Sequence, residues 1–151
     1  MPIRPRHIVP TLCLGFGSAL LPGPPASAGE TLRGPVEARV LRVIDGDTFV
    51  AEARIWPGQT VTVSVRLRGI DAPEIRTRCA LEKAAGLRSR DALERLIGGA
   101  TVEIRNITGG KYYGRVLADV TTPKGEPVGA RLLERSLARA YEGGRRRSAC
   151  G

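Results

Sequence analysis

Thr60-Val-Thr-Val-Ser-Val-Arg-Leu-Arg-Gly-Ile-Asp-Ala-Pro-Glu74 carries two patterns end to end. In its first half Val61, Val63, Val65 and Leu67 alternate with Thr62, Ser64, Arg66 and Arg68, the period-two pattern of a strand with one face on a core. Arg66 then belongs to the polar face and is held by a strand rather than by a loop. In its second half, Asp71 and Glu74 flank Ala72-Pro73. A residue before proline is pushed towards extended backbone, so the two acids splay from a stiff connection.

Upstream, Val36 to Ile44 reads as a strand, Asp45-Gly46 as a turn and Thr48 to Trp56 as the returning strand of a hairpin. Pro57-Gly58-Gln59 makes the next turn, and Trp56 beside it is expected to pack at a barrel edge. Downstream, Cys79 to Ile97 is rich in Ala, Leu, Glu, Lys and Arg, with Leu81, Ala85, Ala92, Leu93, Leu96 and Ile97 at helical spacing and Gly98-Gly99 as the stop. Strands over Thr101 to Asn106 and Arg115 to Thr121 follow, then a second helix over Val128 to Ala138. Three strands, a helix, two strands and a helix predict an α+β, mainly β domain: a five-stranded barrel of oligonucleotide-binding (OB-fold) type with two helices.

Met1 to Ala28 has Arg4 and Arg6, an apolar run from Ile8 to Leu21 and small residues ending Ala26-Ser27-Ala28. This reads as a cleavable secretory signal, because the run is interrupted and shorter than a membrane span of about 20 residues. The expected mature chain, residues 29–151, is one domain, secreted or periplasmic. Losing Arg4 and Arg6 with no acid lowers the formal charge from +9 to +7. That excess favours polyanionic partners, nucleic acid before envelope polymers.

The only histidine, His7, lies in the signal. A mature chain without histidine excludes a Ser-His-Asp hydrolase and a histidine-bound zinc, and two remaining cysteines cannot make a four-thiolate site. Chemistry falls to carboxylates, arginines and hard cations. Cys79 and Cys150 either pair or remain thiols; a bond would close a loop of about 70 residues.

Three segments concentrate chemistry-bearing residues: Asp45-Gly-Asp-Thr48, Arg66 to Glu74, and Tyr112-Tyr-Gly-Arg115. Asp45 is explained by its turn, whereas Asp47 is not. An EF-hand is a poor alternative, since Phe49 stands where the next acid belongs. Two nearby carboxylates suit a hard cation, and arginine matches phosphate oxygens with two parallel donors. Tyr112, Tyr113 and Tyr141 offer faces on which bases stack, with core packing as the rival role.

From about residue 36 to 141 these motifs resemble the thermonuclease, or staphylococcal-nuclease-like, family, whose members show Asp-Gly-Asp-Thr, then Arg followed by Asp-x-Pro-Glu, then Tyr-Gly-Arg. The resemblance implies that Asp47, Asp71 and the backbone carbonyl of Ala72 bind calcium. It implies that Glu74 orients or deprotonates the attacking water, that Arg66 and Arg115 hold the phosphate, and that Tyr113 lies along the nucleotide. The implied reaction is hydrolysis of DNA and RNA on the 5′-oxygen side, leaving 3′-phosphates; a catalytically silent nucleic-acid-binding barrel is the alternative. The chain departs from the family in Ala72, where threonine is common, and in stopping soon after Tyr141, where larger members add a third helix. A Cys79 to Cys150 bond would pin this short tail to the first helix.

Overall fold

The computed structural model describes residues 30–144 and Cys150, so the leader expected over residues 1–28 lies outside the described residues. A two-residue strand β1 (Thr31–Leu32) leads into β2 (Val36–Asp45), β3 (Thr48–Trp56) and β4 (Gln59–Leu67). A short β5 (Ile70–Asp71) precedes α1 (Ala80–Ile97), followed by β6 (Thr101–Gly109), β7 (Arg115–Thr121), α2 (Val128–Glu134) and a short β8 (Arg139–Ala140).

The main sheet runs β1-β6-β2-β3-β4-β7, and an additional β6–β7 pairing closes β2, β3, β4, β7 and β6 into a barrel. The β4–β7 pair is parallel, while the other pairs are antiparallel. Parallel neighbours require a long crossover, and α1 with β6 supplies it. This is the expected five-stranded, mainly β barrel with two helices. Inside it Phe49, Val65, Val102 and Ile104 meet Leu93 and Ile97 from α1, each 0–1 % exposed. Burying side chains of this size contributes about 1.5–3 kcal/mol apiece.

Four details differ from expectation. The alternation in β4 buries Val65 and Leu67, but Val61 is 45 % exposed because the β3–β4 hairpin overhangs the barrel, and Trp56 at its tip is 69 % exposed rather than packed. Strand β6 continues past Asn106 to Gly109 through a register shift between Arg105 and Thr108, which lets it also pair with β1. Helix α2 ends at Glu134, not Ala138. Ser136 turns left-handed at φ 52°, while Leu137 N–H donates to the Leu132 carbonyl and Ser136 N–H to that of Leu133. That pair of bonds is a Schellman stop, here without the usual glycine. Finally, β5 and β8 pair with each other, Ile70 with Ala140 and Asp71 with Arg139.

Cys79 caps α1, its Sγ accepting the Glu82 N–H at 3.4 Å. The same residue is disulfide-bonded to Cys150, with Cα atoms 6.0 Å apart across a separation of 71 residues. Among the described residues no helix is long and apolar enough to cross a membrane.

Candidate active site

The hairpin between β2 and β3 is built to present one acid. Asp45 Oδ1 accepts the Asp47 N–H at 3.1 Å, a local turn bond that accounts for Asp45 as the sequence reading has it. Gly46 is required by packing: a Cβ there would lie 2.5 Å from the Ser89 Cβ and 2.7 Å from the Ala72 Cβ. The turn is thereby wedged between α1 and the loop after β5. Asp47 comes out buried, 1 % exposed.

Three donors meet the Asp47 carboxylate. Oδ1 accepts from Thr48 Oγ1 at 2.8 Å and from Arg66 Nη1 at 2.6 Å, and Oδ2 accepts from the Ala72 N–H at 3.0 Å. Burial pushes this carboxyl up from about 3.8 to about 6, with the Asp45 charge adding to the rise. The Ala72 N–H, the Arg66 charge and the Thr48 hydroxyl pull the other way. Asp47 is therefore ionised at neutral pH but close to protonation.

Arg66 stands opposite Thr48 in the β3–β4 register and reaches both acids. Its Nη2 donates to Asp71 Oδ1 at 3.1 Å, and its side chain is 15 % exposed. One guanidinium thus bridges two buried carboxylates that are separated by 24 positions in the chain. Two of its N–H groups serve the acids, and the remaining donors can meet a phosphate.

Arg115 opens β7 opposite Ser64 of β4, with Leu117 opposite Arg66. Residues directly paired share a sheet face, so Arg115 and Arg66 are diagonal neighbours on the face away from the core. The Arg115 guanidinium sits 5.2 Å from the Tyr112 ring centroid, a cation–π contact that props it, with Lys111 at 5.9 Å from the same ring. Tyr112 and Tyr113 are both exposed on the β6–β7 loop, which rules out core packing for them. Tyr141 lies elsewhere, beyond β8: its N–H donates to the Gly69 carbonyl at 2.9 Å and its hydroxyl to the Gly144 carbonyl at 2.7 Å.

Glu74 is half-buried in the loop after β5, and its Oε1 accepts the Arg76 N–H at 2.9 Å. This loop rests directly on α1. A Cβ on Gly86 would lie 2.6 Å from the Pro73 carbonyl oxygen, 2.9 Å from Ile75 Cγ1 and 3.2 Å from the Glu74 carbonyl carbon.

Sequence reasoning missed three residues here. Arg139 donates from Nη2 to Asp71 Oδ2 at 3.2 Å, and nothing in its local sequence announces a two-residue strand. Gly86 looked like one more helical position. Ser89 ties α1 to the segment after α2 through Leu137, its Oγ donating to that carbonyl at 2.5 Å; its only signal was a polar residue on an otherwise apolar helix face.

The donor set fits a hard cation. Asp47 and Asp71 are two buried carboxylates held by one guanidinium, and carboxylate oxygens are the ligands that hard divalent cations take. Among the described residues no group of three or more His, Cys, Asp or Glu side chains gathers at ligating distance, so further ligands fall to backbone carbonyls and water.

Comparison with known proteins gives one informative match. The model of the staphylococcal nuclease homologue family aligns with residues 64–149, a span that contains Arg66, Asp71, Glu74, Arg115 and Arg139. Asp47 precedes that span, and the Arg66 bridge is what joins it to the other acid. No curated protein matches the chain. More than half of the sequence falls within the matched span, on a barrel of the expected kind, and the chain belongs to the staphylococcal nuclease homologue family.

Proposed function

We propose that this protein is an exported, calcium-dependent nuclease that hydrolyses DNA and RNA, and that residues 1–28 are the signal that directs it to the periplasm or beyond the cell. The observation that carries the reading is the Arg66 guanidinium spanning Asp47 and Asp71 at 2.6 and 3.1 Å on a strongly basic chain. A family fold with those residues altered would still bind nucleic acid; with all of them present it has the parts of a phosphodiesterase.

Asp47, Asp71 and the Ala72 carbonyl would hold the calcium ion. When bound, the ion supplies positive charge against the phosphate oxygens and an ordered coordination shell. The chain's own groups do the rest. Arg66 and Arg115, on one sheet face, donate to the non-bridging oxygens, where negative charge grows as water attacks phosphorus in line. The Glu74 carboxylate orients that water and accepts its proton as the new P–O bond forms. The P–O5′ bond breaks, the 5′-oxygen leaves and is protonated by solvent, and the phosphate stays on the 3′ side. Tyr112 and Tyr113 give flanking bases exposed rings to stack on, worth about 1–3 kcal/mol per base. Tyr141 would contact the nucleotide from the β8 side.

The test is digestion of a defined single-stranded DNA and its RNA equivalent by the mature oxidised domain, with calcium or with chelator, followed by end-group analysis. Calcium-dependent cleavage of both strands to 3′-phosphates is expected. Salt-sensitive binding without cleavage would assign the protein to the silent binding modules instead.

A further inference from the structure

We infer that Arg139 is a positioning residue that raises the calcium concentration at which the Asp47–Asp71 pair fills. The inference rests on the cation reading above and deepens it. Asp71 is fully enclosed, and its two oxygens are divided between two guanidiniums: Oδ1 takes Arg66 Nη2 at 3.1 Å, and Oδ2 takes Arg139 Nη2 at 3.2 Å and Nε at 3.4 Å. Arg139 does not arrive there by a wandering side chain. It faces Asp71 directly across the β5–β8 pair, and that pair is fixed on both sides. Tyr141 N–H bonds the Gly69 carbonyl at 2.9 Å, and the Ser89 hydroxyl holds the Leu137 carbonyl at 2.5 Å.

The consequence is electrostatic. With Arg139 in place, the charges of Asp47 and Asp71 are offset by two guanidiniums, with Asp45 nearby, and a dication must displace one charged donor from Oδ2. Without it, the same dication meets a cluster more negative by one charge and an oxygen with one competitor fewer. Ligand charge is what places calcium sites anywhere from tight cytosolic buffers, at about 10⁻⁹–10⁻⁸ M, to extracellular modules, at about 10⁻⁴–10⁻³ M. Arg139 moves this site towards the weak end. Its side chain is 46 % exposed, so it can swing into water when the cation arrives.

The experiment is calorimetric titration of the mature oxidised protein with calcium chloride alone, no nucleic acid present, for wild type, Arg139→Gln and Arg139→Lys. Unfolding of each in chelator verifies that the variants are folded. Arg139→Gln is expected to bind calcium about tenfold more tightly, and Arg139→Lys, which keeps the charge, to stay within about threefold of wild type. Equal or weaker binding by Arg139→Gln overturns the inference while leaving the cation site intact. A wild-type protein that takes up no calcium overturns the cation reading itself.

Discussion

Asp47 is the residue on which physical chemistry presses hardest. Its carboxyl is raised from about 3.8 to about 6 by burial, so between those values the folded state binds a proton that the unfolded state has released. A raised acid contributes stability that is present below pH 4 and lost as pH climbs through 6. In chelator, wild type should therefore lose about 2 kcal/mol relative to Asp47→Asn between pH 4 and pH 7, measured by urea unfolding. A constant difference between the two proteins over that range would contradict the account. The same variant should be inactive, since a neutral amide cannot replace a charged ligand. Arg115→Ala should cost about 10²–10³ in the rate of cleavage with little change in stability, because its guanidinium props on Tyr112 rather than holding the core. Much of this site was legible residue by residue. Alternation placed Arg66 on a polar strand face, proline isolated Asp71 and Glu74, and the Asp-Gly turn left Asp47 unexplained. Arg139 was not legible, because a strand of two residues has no periodicity and its partner lies 68 positions away.

At the scale of elements, α1 is the platform on which the loop after β5 rests. Gly86 is costly in a helix interior, where alanine would gain about 1 kcal/mol, yet a methyl there would press on the Pro73 carbonyl and the Glu74 backbone. Gly86→Ala is expected to destabilise the domain by about 1–3 kcal/mol despite better helix propensity, and to lower the cleavage rate with it. Arg90→Ala, on the same helix but with a partly exposed side chain that pairs with its neighbour Asp91, should do neither; circular dichroism melts and rate measurements on the pair test this. The barrel strands were readable from alternation and turns, with ends within a few residues. Helix α2 was overextended because its stop is a left-handed serine, Ser136, whose side chain gives no signal comparable to glycine. Strand β6 was cut short because its extension depends on pairing with β1 and on a bulge, neither of which has a local sequence mark.

At the scale of the whole molecule, a closed barrel fixes the site by register while the disulfide adds a covalent tie to the first helix. The bond ties Cys150 to the cap of α1, the helix that also supports the Glu74 loop. Replacing Cys150 with serine should cost about 2–5 kcal/mol in denaturant unfolding, and reduction of wild type should reproduce that loss. Pairing was foreseeable only by counting, since the two cysteines in residues 29–151 can bond or not. The carboxylates and arginines of this barrel are expected to cut phosphodiester bonds with calcium. The most direct measurement is the initial rate of single-stranded DNA cleavage against calcium concentration, for wild type and Glu74→Gln side by side. Wild type should cleave with a saturable dependence on calcium and stop in chelator. The variant should bind the strand equally well but cleave about 10²–10⁴ times more slowly. Cleavage that persists in chelator, or equal rates for the two proteins, would contradict it.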